Sequence, residues 1–164
     1  MSTFLSLRMM EDRWPEIADE AISISNFNSK FGWKQEGSVE WQYPLMNEGV
    51  PTEQSIKCPV TMSLLRKGIR DAGFSLLDYG HMVAPRRTSG RRYHMCLSGG
   101  DFVKNPVTDA YEEMDGLYFI QDTNVIREKD GVSYEFSGED PWGVVNMTKD
   151  SIIRFWCTFF PDKY

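Results

Sequence analysis

The run Ile152-Ile153-Arg154-Phe155-Trp156-Cys157-Thr158-Phe159-Phe160 has few places in any fold. Successive side chains of a strand point to opposite faces. Ile153, Phe155, Cys157 and Phe159 therefore share one side, and Ile152, Arg154, Trp156, Thr158 and Phe160 share the other. Both sides are largely apolar, which places the strand in the middle of a sheet covered on both faces. The alternative is a homodimer interface, where exposed aromatics would otherwise form a sticky patch and where Pro141 and Trp142 would lie at the edge. A chain of 164 residues is long enough to surround such a strand with one core, so residues 1–164 are read as a single domain.

The rest of the chain supplies the covering layers. From Thr3 to about Asn28, Leu5, Met9, Ile17, Ala21 and Ile24 recur at helical steps, interrupted by Pro15. This predicts a short helix, a break near Trp14, and a second helix. Val39 to Tyr43 alternates as a strand that Pro44 stops. Thr61 is placed to cap a helix whose stripe is Met62, Leu65, Ile69 and Ala72 and whose end is Gly73.

Phe74 to Ala84 and Arg91 to Leu97 read as the arms of a β-hairpin with Pro85-Arg86-Arg87-Thr88-Ser89-Gly90 at its tip. Beyond Gly99-Gly100, one helical turn is expected around Asp109 to Met114. Short strands follow at Leu117–Gln121, Asn124–Arg127, Val132–Phe136 and Val144–Met147, with Asp130-Gly131 as a hairpin turn between the second and third. The expected fold class is α+β: amino-terminal helices and one central helix packed on a mainly antiparallel sheet of five to seven strands.

Charge is unevenly distributed. The net charge is −6, yet residues 57–94 hold eight basic side chains against two acidic ones, a local +6 that leaves −12 for the remainder. Arg86, Arg87, Arg91 and Arg92 sit at the hairpin tip beside Tyr93 and His94, with Arg66, Lys67 and Arg70 on the preceding helix. Guanidinium groups grip phosphate oxygens and an aromatic ring stacks on an unpaired base. The leading expectation is therefore a non-enzymatic protein that binds single-stranded DNA or RNA through Arg86, Arg87, Arg91, Arg92, Tyr93, Arg66, Lys67 and Arg70. Two plainer readings compete: the arginines pair with the chain's own carboxylates, or they meet the acidic surface of a second copy.

A different class of function follows from the acidic remainder. It suits a protein-interaction or inhibitor module, of the kind a viral accessory protein supplies, docking on a basic partner. A third class is a small hydrolase using His81 or His94, each in a His-Met dipeptide. A two-histidine phosphoesterase would need a hydroxyl residue two positions after each histidine, and the chain offers Val83 and Cys96. The residues Cys58, His81, His94 and Cys96 have zinc-ligand chemistry but lack the close paired spacing of a zinc site, so no metal and no cofactor are expected. Three widely spaced cysteines read as reduced thiols of a cytoplasmic protein, in the producing or the host cell. No run approaches the roughly 20 apolar residues of a spanning helix.

Overall fold

A computed structural model describes residues 10–25, 33–36, 40–65, 67–98, 116–148 and 151–161. The described chain runs through helix α1 (Trp14–Ser25), strands β1 (Lys34–Glu36), β2 (Glu40–Asn47) and β3 (Val50–Pro51), a 3-10 turn at Gln54–Lys57, and helix α2 (Pro59–Leu64). Eight strands follow: β4 (Ile69–Leu77), β5 (Met82–Arg86), β6 (Arg91–Ser98), β7 (Leu117–Gln121), β8 (Asn124–Arg127), β9 (Ser133–Ser137), β10 (Trp142–Asn146) and β11 (Ile152–Phe159). They form a seven-stranded sheet in the order β1-β2-β4-β11-β6-β9, with β3 on β2, and a four-stranded sheet in the order β5-β10-β7-β8. Every named pairing is antiparallel.

This is a two-sheet β-barrel, and it corrects the α+β expectation. The central helix is the main error. Helix ends at Leu64, while Ile69 and Ala72, read as its stripe, already belong to β4. Local spacing lost to tertiary pairing: β4 is bonded on both sides, to β2 and to β11, and is buried from Ala72 to Leu77. Gly73 is not a helix terminator. A Cβ there would lie 2.8 Å from the Tyr43 carbonyl and 3.3 Å from the Trp156 ring, so only glycine lets these three strands lie together. Nor does Pro44 end β2, because a register shift between Pro44 and Met46 absorbs its missing donor.

The two hairpin expectations fail for a common reason. β5 and β6 lie in different sheets, as do β8 and β9. In each pair the turn residues pass the chain from one sheet to the other. β8 instead folds back on β7, with Asp122 in the left-handed region between them. The turn expected at Asp109 to Met114 lies outside the described residues.

β11 takes the central position its two apolar faces demand, between β4 and β6. One side of the seven-stranded sheet meets the helices: Ile17, Ala18, Ala21 and Ile24 pack with Tyr43, Phe74, Tyr93, Met95 and Phe155. α1 also secures α2, since the Glu20 carboxylate accepts from Val60 N at 2.8 Å, Thr61 N at 2.7 Å and Thr61 Oγ1 at 2.6 Å. The other side faces the four-stranded sheet, where Leu77, Cys96, Phe136 and Ile152 meet Val83, Leu117, Phe119, Trp142 and Val144.

Gly73→Ala is expected to destabilise the fold by about 1–3 kcal/mol through overpacking, seen as an earlier urea midpoint with unchanged slope. An unchanged midpoint would contradict the three-strand packing at Tyr43 and Trp156.

Candidate functional site

Strand alternation sorts the arginine-rich segment into different environments. On β6, Tyr93, Met95 and Leu97 face the helices, and Cys96 faces the barrel interior together with Arg92 and His94. Tyr93 is thus buried on the far side, its hydroxyl 3.6 Å from Met95 Sδ, and is no stacking platform. Arg91 points outward and pairs with Glu135 at 2.8 Å. Arg70 lies near Asp71 and Glu48, at 3.5 and 3.7 Å. Arg87, Lys67 and His81 are exposed, and Arg66 lies outside the described residues. The loop after β5 does not project as an arm: Thr88 N donates to the Gly138 carbonyl at 2.7 Å, and Gly138 N to the Gly90 carbonyl at 2.7 Å.

Two of the expected arginines do come together. A register shift in the β5–β10 pairing sets Arg86 opposite Trp142 and Val83 opposite Val144. The bulge re-aims Arg86, so that its guanidinium carbon lies 5.3 Å from the Trp142 ring centroid. Arg92 is held between two indoles, 5.0 Å from the centroid of Trp142 and 4.9 Å from that of Trp156. This clamp bridges the sheets, because Trp142 is on β10 and Trp156 on β11. Trp156 Nε1 donates to Gln42 Oε1 at 2.9 Å, Gln42 in turn bonds Glu40, and Glu40 lies 3.8 Å from Arg86. No carboxylate among the described residues lies within ion-pair distance of Arg92. Burial, with Arg86 and Arg154 nearby, brings its pKa down to about 10.

Behind the clamp lies a buried polar network. Arg92 Nε donates to His94 Nε2 at 3.3 Å, while Arg154 Nη1 and the Tyr134 hydroxyl lie 3.2 Å from His94 Nδ1. Arg154 Nη1 also reaches Glu128 Oε2 at 3.4 Å, with both side chains almost wholly buried. A neutral imidazole has one accepting nitrogen. Here each ring nitrogen faces an arginine that only donates, so donors outnumber acceptors. Arg154 Nε and Ser75 Oγ, on directly paired residues of β11 and β4, are buried without partners. Burial pushes the His94 pKa well below its ordinary value, reinforced by Arg154, Arg92 and Arg86. Burial pushes the Glu128 carboxyl up, against the opposing pull of Arg154.

Sequence reading missed Trp142, Trp156, Arg154, Glu128 and Tyr134 as site residues. Arg154 carried a signal: it is the one charge inside a strand apolar on both faces, and such a charge must find buried partners.

Residues 11–124 match the aspartyl/asparaginyl β-hydroxylase family. No curated protein matches the chain in sequence. Among solved structures, the cupin domain of an XRE family transcriptional regulator from Enterobacter cloacae is similar at a TM-score of 0.50 and 11% identity, over 76% of this chain and 99% of that one. KdgF from a Halomonas species gives 0.51 and 10%, over 83% and 94%. The DMSP lyase DddQ from Ruegeria pomeroyi gives 0.53 and 11%, over 80% of this chain but only 57% of the lyase. At these identities the structures establish a cupin-type fold.

The family match and the fold overturn the expectation of a non-enzymatic nucleic-acid binder, and with it the protein-docking or viral accessory reading. The family match points to an enzyme. The hydrolase reading loses its geometry, since His81 is at the surface and His94 is buried. No described helix is long and apolar enough to cross a membrane.

Hydroxylation draws on an oxygen-activating centre, for which non-haem iron enzymes use two histidines and a carboxylate with open positions. The described residues do not fit one. They contain no group of three His, Cys, Asp or Glu side chains placed to hold a metal ion. Unit charges 4 Å apart repel by about 4 kcal/mol at an effective dielectric of 20, and a divalent ion at His94 would feel about twice that from each guanidinium.

Two expectations follow. An unfolded chain takes up a proton on histidine below about pH 6.5 that native His94 refuses, so stability rises with pH and is lost as pH falls below that value. Urea midpoints should drop from pH 6.5 to 5.5 in the wild type, by at most about 1.4 kcal/mol per pH unit from this group, and that share should vanish in His94→Gln. Identical pH slopes would contradict it. Arg154→Met alone strands Glu128 and should cost about 3–5 kcal/mol, whereas the double variant with Glu128→Leu should recover much of the loss. Simple additivity in the double-mutant cycle would argue against the pair.

Proposed function

The chain belongs to the aspartyl/asparaginyl β-hydroxylase family, and on that premise we propose that it is an enzyme acting on a small molecule whose carboxylate seats against Arg92 inside the barrel. The observation that carries this reading is the Arg92 guanidinium, fixed between Trp142 and Trp156 with no described carboxylate in ion-pair reach. An uncompensated cation in such a place costs several kcal/mol, a cost that an arriving anion offsets.

The geometry suits a carboxylate in particular. Arg92 Nε is directed to His94, which leaves the two terminal nitrogens as a planar fork for bidentate binding. The indoles hold that fork in one plane and exclude water from its faces, so little side-chain freedom remains to be lost on binding. Arg86, more exposed, adds a second positive charge where the cluster meets solvent. The family's name specifies aspartyl and asparaginyl groups, and the aspartyl side chain is a carboxylate of this class.

Trp142 and Trp156 report directly on occupancy. Titration with succinate should give a saturable change in tryptophan fluorescence, and uncharged succinamide should give none. Arg92→Met should weaken succinate by at least about tenfold, the value of one charge-assisted hydrogen bond. Equal responses to the two compounds, or an unchanged affinity in Arg92→Met, would sink the reading.

A further inference from the structure

We infer that His94 is not a metal ligand in this chain: it is a positioning residue that orients Arg92 and Arg154, and guanidinium groups take the place of a metal cation as the positive centre of the barrel. The inference rests on the carboxylate reading above but is tested separately from it.

Three observations carry it. A guanidinium already faces each ring nitrogen: Nε2 accepts from Arg92 at 3.3 Å, and Nδ1 lies 3.2 Å from both Arg154 Nη1 and the Tyr134 hydroxyl. An ion at either nitrogen would have to displace a guanidinium. The ring is also enclosed by aromatic neighbours, with the centroids of Phe136, Trp142, Tyr134 and Phe119 at 4.9, 5.3, 5.5 and 6.4 Å, leaving no open side for further ligands. The nearby carboxylates are committed elsewhere: Glu128 to Arg154, Asp130 to the Cys96 thiol at 3.3 Å, and Glu40 to Gln42 and Arg86. A cationic barrel of this kind attracts an anion and repels a divalent ion.

The test uses the full chain and two probes. Mn²⁺, a paramagnetic divalent ion, is titrated while the ring signals of His94 and His81 are followed by NMR, and succinate is titrated in parallel. Silence of the His94 signals at millimolar Mn²⁺ supports the assignment. Micromolar Mn²⁺ that selectively broadens the His94 signals while leaving those of His81 sharp overturns it. The positioning role is read from succinate affinity in variants shown by circular dichroism to be folded. His94→Gln, which keeps an acceptor, should stay within about threefold of wild type, and His94→Phe should lose at least about tenfold. Equal weakening in both would overturn the positioning role. If succinate fails to bind the wild type while His94 stays silent to Mn²⁺, the carboxylate reading falls and the absence of a metal at His94 stands.

Discussion

Arg92 and Arg154 place guanidinium groups where loss of hydration costs several kcal/mol each unless partners replace the water. The surrounding barrel supplies those partners unequally. Arg154 receives Glu128 and the His94 imidazole, at 3.4 and 3.2 Å. Arg92 receives two indole faces and an imidazole nitrogen, which satisfy its flat surfaces and one donor but not its charge. On the proposed reading, that difference separates a structural arginine from one that seats a ligand. The network around His94 transmits it, because the same imidazole that accepts from Arg92 on one edge lies 3.2 Å from Arg154 on the other.

Topology makes this arrangement attainable. Trp142 and Trp156 come from opposite sheets, so the clamp exists only when both sheets are closed over one interior. The interior holds both an apolar cluster that includes Leu77, Leu117, Val144 and Ile152 and a polar group of Arg86, Arg92, Gln42 and Glu40. Gly73 permits β4 to lie under Trp156, and the β5–β10 bulge turns Arg86 toward Trp142. Two local irregularities of backbone thus place the two aromatic walls and the second cation.

How much of this could be read in the sequence varies from one element to the next. β11 was legible because the period-two alternation of Ile152 to Phe159 leaves no polar face, a local property with a global consequence. The 61–72 helix was not. Met62, Leu65, Ile69 and Ala72 fit a helical stripe as well as any true helix, and the pairing of β4 with β2 and β11 that overrides it is invisible in a local window. The Asp-Gly turn and the Ser-Gly turn were legible as turns but not as crossings between sheets, since turn chemistry fixes a reversal and not a partner. For the site, charge segregation drew attention to Arg86 and Arg92. It misassigned their surroundings, because the Trp142 and Trp156 that enclose Arg92 lie fifty or more residues away along the chain.

A crystal structure determined with saturating succinate shows whether Arg92 seats an anion between its two tryptophans. A carboxylate with both oxygens within about 3 Å of the terminal nitrogens of Arg92, lying between Trp142 and Trp156, is the expected result. Succinate found only on the outer surface, with Arg92 paired to a carboxylate of the chain itself, would contradict it.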